Sequence, residues 1–294
     1  MSHRGRGHSR SHTRDLISLI FGFFLSLALL GIMLITVVRL GVMTWGGFNY
    51  ILDDKYYELT VDYVEKQTYN YSLPTGIDPA VLDGVFSVDE VKRDAGGFIA
   101  GALDGSGYKA DTSATRDRLV KNVKALFDKD GVRIGEGGSA EKIIEGYAND
   151  IMGMYEEALV IPGLDVIVQI RNFYVRYYPV ALACFVAFAA IMVVLIMRLH
   201  HFVHRALRFV AYALGGAAVM GFVVPCMLLV SGFYKGLNLQ PEFFYHFGVR
   251  LVMHVFNLCM LGSGVLLVLM IITMVVIRGM RKKAMHSGRL SHDF

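Results

Sequence analysis

Four long runs of apolar residues divide the chain. Leu16–Val38, Pro179–Met197, Phe209–Tyr234 and Leu251–Ile277 hold 23, 19, 26 and 27 residues, and none contains Asp, Glu, Lys or Arg. About 20 consecutive apolar residues in a helix cross the ~30 Å hydrocarbon layer of a bilayer, so each run is long enough to span it. Between the first two runs the pattern changes. Residues 51–178 show apolar and aromatic positions at mostly helical spacing, and no alternation of the kind a sheet requires. The fold class expected is therefore all-α, with four transmembrane helices and an extracytoplasmic helical bundle inserted between the first and second spans.

Within the insert, Leu52, Tyr56, Leu59, Tyr63 and Tyr69 mark a helix over Ile51–Tyr71, and Leu73-Pro74-Thr75-Gly76 breaks it. Ser87-Val88-Asp89-Glu90 has the form of a capping box opening a helix to about Leu103, with Gly96 and Gly97 weakening its middle. Thr112 or Ser113 can cap a helix to about Phe127, and Ser139 can cap the next. The latter would bury Ile143, Ile144, Tyr147, Ile151, Met154 and Tyr155 and end at Pro162-Gly163. Leu164–Tyr178 can run directly into the second span.

Charge sets the direction of the spans. The chain has 29 Lys+Arg and 25 Asp+Glu, and residues 44–177 take 22 of the acids but only 14 of the bases. The basic remainder flanks the apolar runs: Arg4, Arg6, Arg10 and Arg14 before the first, Arg198, Arg205 and Arg208 after the second, and Arg278, Arg281, Lys282, Lys283 and Arg289 after the fourth. The loop after the third run has only Lys235 and Arg250. Basic loops stay in the cytoplasm, so both termini are placed there and the acidic insert outside. The resulting division is 1–15 basic tail, 16–43 first span, 44–178 outer domain, 179–197 second span, 198–208 cytoplasmic loop, 209–234 third span, 235–250 outer loop, 251–277 fourth span and 278–294 basic tail. The first run exceeds the 7–15 residues of a signal-peptide core and is read as an uncleaved anchor. Trp45, Tyr50, Phe173, Tyr174, Tyr177, Tyr178, Tyr234, Phe243, Phe244 and Tyr245 would form an aromatic belt at the outer interface.

Cys184, Cys226 and Cys259 all fall inside apolar runs, leaving the outer domain without a disulfide. That usage fits a Gram-positive bacterial surface better than a secreted animal domain. The high pI follows from the topology, and nucleic acid is not expected as a partner. Asn70-Tyr71-Ser72 matches a glycosylation sequon, a pattern close to chance at this length.

Catalytic signatures are absent from the sequence: it has no phosphate-binding loop, no nucleophile elbow and no H-E-x-x-H. The Gly135, Gly137, Gly138 cluster follows no strand, and the loops at Asp104 and Asp128 place Tyr108 and Val132 where a calcium loop needs oxygen. No cofactor, metal or catalytic residue is assigned, and the chain is read as a non-enzyme. His200, His201 and His204 read as part of a basic interfacial loop. The sharpest polar feature is His246, Arg250, His254 and Asn257, which share one face at spacings of 4, 4 and 3. It is either an outward-opening path or hydrogen-bonding glue that holds helices and docks the outer domain. Gly221 and Pro225 in the third span form a candidate hinge, and Ala213, Ala217 and Gly221 a small-residue row suited to close packing.

The function expected is a binding, scaffold or sensor component whose outer domain engages a partner or envelope ligand, with a protein partner or a second copy met through the spans. The alternative is a transporter or channel subunit using the polar face of the fourth span, and a third is a membrane enzyme acting on lipid. No named family is recognised.

Overall fold

The computed structural model describes residues 5–129, 138–200, 202–236 and 238–290, with 5–12, 45 and 283–290 described by backbone alone. The Gly135–Gly137 segment, His201 and Arg4, and the side chains of Trp45, Arg6, Arg10, Lys283 and Arg289, lie outside that description. The described residues are all-α: α1 Gly5–Gly41, α2 Trp45–Ile51, α3 Asp54–Thr75, α4 Val88–Asp104, α5 Ser113–Lys129, α6 Ser139–Leu159, α7 Leu164–Leu199, α8 Val203–Ser231 and α9 Glu242–Leu290. Short 3₁₀ turns occupy Pro79–Leu82 and Phe233–Gly236. Four helical stretches are long and apolar enough to cross a membrane: Thr13–Gly41, one ending at Leu199, Val203–Ser231 and Glu242–Lys282.

The chain divides into two compact units. The apolar unit holds residues 1–43, 173–236 and 252–294, and the polar unit holds 44–172 and 237–251, so α7 and α9 contribute to both.

In the apolar unit, α1 and α8 pack against each other along Leu25, Ala28, Ala206, Ala213 and Ala217, with α7 joining through Ala189 and Ile196 and α9 through Cys259 and Leu266. The close approach depends on small residues. A Cβ at Gly221 would lie 2.6 Å from both Met33 Cε and Ser263 Oγ, so a larger residue there would push those side chains of α1 and α9 aside. Pro225 is buried on the same side, and α8 runs through it as one helix. Leu261, Met227, Val230 and Val275 are among the many large apolar side chains left exposed. Apolar exposure on this scale suits lipid, since water-soluble surfaces rarely expose apolar patches beyond a few hundred Å².

The polar unit is built around one aromatic-rich core. α3 begins at Asp53, whose carboxylate accepts from the Tyr56 N–H at 3.0 Å, and ends at Gly76 with φ 77°. Its buried face carries Tyr56, Tyr57, Val61 and Val64 beside three hydroxyls, Thr60, Thr68 and Ser72. Each hydroxyl donates to the carbonyl four residues earlier at 2.8–2.9 Å, which removes the cost of burying it. α4, α5 and α6 add Val91, Ile99, Leu119, Ile144, Ile151 and Tyr155 to the core.

Several expectations need correction. The helix expected over Ile51–Tyr71 is two helices, broken at Leu52-Asp53 because Asp53 caps the second. Ser87 does cap α4, but Glu90 does not reach back to it; its carboxylate takes Arg118 and Thr115. Ser139 does not cap α6: it is the first helical residue after Gly138. On α6, Ile143 is 59% exposed and Met152 is buried in place of Met154. Gly97 does more than weaken α4: a Cβ there, or at Gly101, would lie under 3.0 Å from Tyr108, which packs across that face. Finally, the segment expected as an outer loop, 235–250, is helical from Glu242, and Phe243 and Phe247 enter the polar unit's core at 2% exposure each. Phe243 is therefore no belt residue.

Candidate functional site

The four polar residues singled out on the face of α9 divide between the two units. In the polar unit, His246 Nε2 donates to Asp53 Oδ1 at 2.9 Å, and Arg250 places Nη1 3.5 Å from Asp53 Oδ2 while donating to the Tyr50 carbonyl at 3.1 Å. The Arg250 guanidinium also lies 5.6 Å from the centre of the Tyr50 ring. One carboxylate thus caps α3 and holds the His246 and Arg250 side chains of α9. Burial pushes the Asp53 carboxyl up, but its hydrogen bonds from His246 and the Tyr56 N–H, with the nearby charge of His246 and Arg250, outweigh this and leave it below its ordinary value. In the apolar unit, the His254 ring packs over Gly41, where a Cβ would lie 3.6 Å from its Cδ2 and 2.8 Å from Leu258 Cδ1. Asn257 is exposed on the surface of that unit. His254 and Asn257 therefore do not converge on one interior channel.

Of the loop histidines, His201 lies outside the described residues, and His200 and His204 have separate partners. His200 sits 2.9 Å from the Ser18 hydroxyl and stacks on Phe209 at 5.1 Å, while His204 packs beside Phe202. No group of three or more His, Cys, Asp or Glu side chains could hold a metal ion among the described residues. Cys184, Cys226 and Cys259 are free thiols.

A concave site occurs elsewhere, within the polar unit. A cavity of about 570 Å³ is lined by Tyr63 and Gln67 of α3, Met154, Glu157 and Ala158 of α6, Val160 and Pro162 of the turn that follows, and Pro241 and Phe243 at the start of α9. A second hollow of about 280 Å³ shares Tyr63, Gln67 and Pro241 and extends along α3 past Asp62, Lys66 and Asn70 to Glu242. Together they form one cleft. Its volume falls in the range of small-molecule and peptide side-chain sites. Its apolar wall is the Tyr63–Phe243 pair, edge to face at 5.3 Å, with Tyr56 behind Phe243 at 5.8 Å. Its rim carries Asp62, Glu157 and Glu242 against the one cation Lys66.

Phe243 is held in place because Phe247, one turn along α9, stacks near Phe48 and Tyr56 in the core. Asp53 secures the same helical stretch through His246 and Arg250. A second polar cluster holds the other side of the unit. Asp94, 1% exposed, accepts from Tyr155 Oη at 2.9 Å, Tyr108 Oη at 3.3 Å and Arg93 Nε at 2.9 Å. Burial, reinforced by the Asp94 charge, pushes the Tyr155 phenol well above its ordinary value and keeps it a donor. These bonds from Tyr108 and Tyr155 to one buried carboxylate fix α4 against α6.

Reading the sequence missed this cleft. Tyr63 was visible as an apolar position of a helix and Phe243 as an interfacial aromatic, but what joins them is a contact across 180 positions. The local signal was the Gln240-Pro241-Glu242-Phe243 run, in which a proline precedes an acidic first turn and an aromatic pair. Comparison of the chain with protein-family models, curated proteins and solved structures finds no match.

Proposed function

We propose that the chain is a membrane-anchored binding protein of the cell envelope. Four spans hold it with both termini in the cytoplasm, and the polar unit stands outside as a helical domain that engages a partner or envelope ligand. The observation that carries the reading is the Tyr63–Phe243 cleft: an aromatic wall in a concave, preformed site with three carboxylates and one lysine on its rim. Such a lining suits a ligand with an apolar body and positive charge. The acid excess of residues 44–177 adds a field of the same sign. A Gram-positive setting rests on the cysteine usage already described.

The alternative, a transport role for the polar face of α9, has less to support it. His246 and Arg250 are engaged by Asp53, His254 rests on Gly41, and Asn257 faces away from the packed side of its unit. The proposal assigns no catalytic step.

A photo-crosslinking amino acid at Gln67, in the cleft, tests it against one at Lys121, exposed on α5. In intact cells the Gln67 variant is expected to give one discrete adduct, identified by mass spectrometry, that the Lys121 variant lacks. Identical adduct patterns from both positions would remove the cleft as the binding site.

A further inference from the structure

Asn257 is the one feature above for which the chain supplies no use. It lies on α9 within the run Leu251–Ile277, and its amide is exposed, with no hydrogen bond among the described residues. At 100° per residue, the side of α9 that packs on α1 and α8 is centred on Cys259, Gly262 and Leu266. Asn257 lies about 180° from that side. Along the same outward line follow Leu261, Gly264, Val268, Ile271 and Val275, all exposed. Their spacings from Asn257 are 4, 3, 4, 3 and 4, the repeat that lets one straight helix face lie along another. A Cβ at Gly264 would meet nothing within 4 Å, so the face is open at its narrowest point.

With the spans in a bilayer, a primary amide on this face has lipid instead of water around it, and its two donors and its acceptor need a partner. We propose that the partner is a second copy of this chain, paired along α9 by a two-fold axis normal to the membrane. Two arguments select it. Every copy inserts with the same polarity, because the same charged segments set its direction, so two α9 helices meet in parallel. A two-fold axis between parallel helices brings each residue next to its own counterpart, so Asn257 meets Asn257. An amide is self-complementary: each side chain donates N–H to the other's carbonyl oxygen. A single polar residue in an otherwise apolar heptad face also fixes register, since any slip strands both amides in lipid. Gly264, seven residues on, allows the backbones to approach.

The test is subunit counting by single-molecule photobleaching of the fluorescently tagged full-length protein, reconstituted in phosphatidylcholine–phosphatidylglycerol liposomes over a series of protein-to-lipid ratios. Wild type is expected to pass from two-step to one-step spots on dilution. Asn257→Leu moves the midpoint to a protein density about fivefold to thirtyfold higher, the range expected of an interhelical side-chain hydrogen-bond pair. Gly264→Leu, whose side chain enters open space in the monomer, moves it in the same direction. Asn257→Gln keeps the amide and stays near wild type. Val276→Leu, exposed but about 100° away round the helix, leaves the midpoint unchanged. The proposal is overturned if wild type gives single steps throughout, or if either Asn257→Leu or Gly264→Leu keeps the wild-type midpoint.

Discussion

Replacing Asp94 by alanine is expected to destabilise the polar unit by about 2–4 kcal/mol, the cost of leaving buried tyrosine donors without their acceptor. Three donors converge on this carboxylate, and the most deeply placed of them, Tyr155, is 1% exposed and would lose its acceptor where no water replaces it. Unpartnered buried donors carry the full desolvation penalty, which exceeds the value of the bond itself. Arg93 is more than half exposed and recovers its hydration, so its pairing contributes little. The loss falls on the α4–α6 contact, where the Tyr155 ring also stacks on Phe86 at 5.7 Å. Asp94→Asn keeps an acceptor of nearly the same shape and is expected to cost about 1–2 kcal/mol. A near-ultraviolet circular dichroism melt of the detergent-solubilised protein reads both, with a fall of about 10 °C or more for alanine. An alanine variant melting within a couple of degrees of wild type would show that the network is incidental.

The second large effect is expected at Asp53. Asp53→Ala removes the cap of α3, worth about 1 kcal/mol, and the carboxylate paired with His246 and Arg250, for a total of about 2–4 kcal/mol. Asp53→Ser separates the two, because serine caps α3 without offering a charge to α9. The pH dependence follows from the lowered pKa. The carboxyl is more acidic folded than unfolded, so the folded state binds fewer protons, and the stabilisation is fully present above the unfolded value near 3.9. It is lost as pH falls through the folded value. Acid titration of the melting temperature should therefore show a loss below about pH 4 in wild type that is smaller in Asp53→Ala. Parallel titration curves for the two proteins would contradict the assignment. Because α9 carries Phe243 on the same stretch, Asp53→Ala should also loosen the cleft wall.

Much of the architecture was legible in the sequence because its signals are local. Uncharged runs of 19 to 27 residues mark the apolar helices, and the absence of a breaker between Leu164 and Tyr178 announced the continuous α7. Small residues on α8 marked the face that packs. What was illegible depends on contacts distant along the chain. Phe243 and Phe247 look the same in sequence whether they sit at a membrane interface or in a core, because both environments favour aromatics. Glu242 follows Pro241, a common helix start, yet its place between two apolar runs made the segment read as a loop. Asp53 carried a readable capping signal, but apolar residues on either side at helical spacing masked the break. His246 and Arg250 could be placed on one face by spacing, while their shared partner lies 193 and 197 positions away.

The orientation of the cleft is the point on which the account turns, and a membrane-impermeant maleimide reads it directly in intact cells. Lys66→Cys places a thiol on the cleft rim and Arg281→Cys places one beyond the last apolar run. Cys at 66 is expected to label in intact cells and Cys at 281 only after permeabilisation. Labelling at 281 with protection at 66 would turn the polar unit inward and contradict the proposal that it meets a ligand outside the cell.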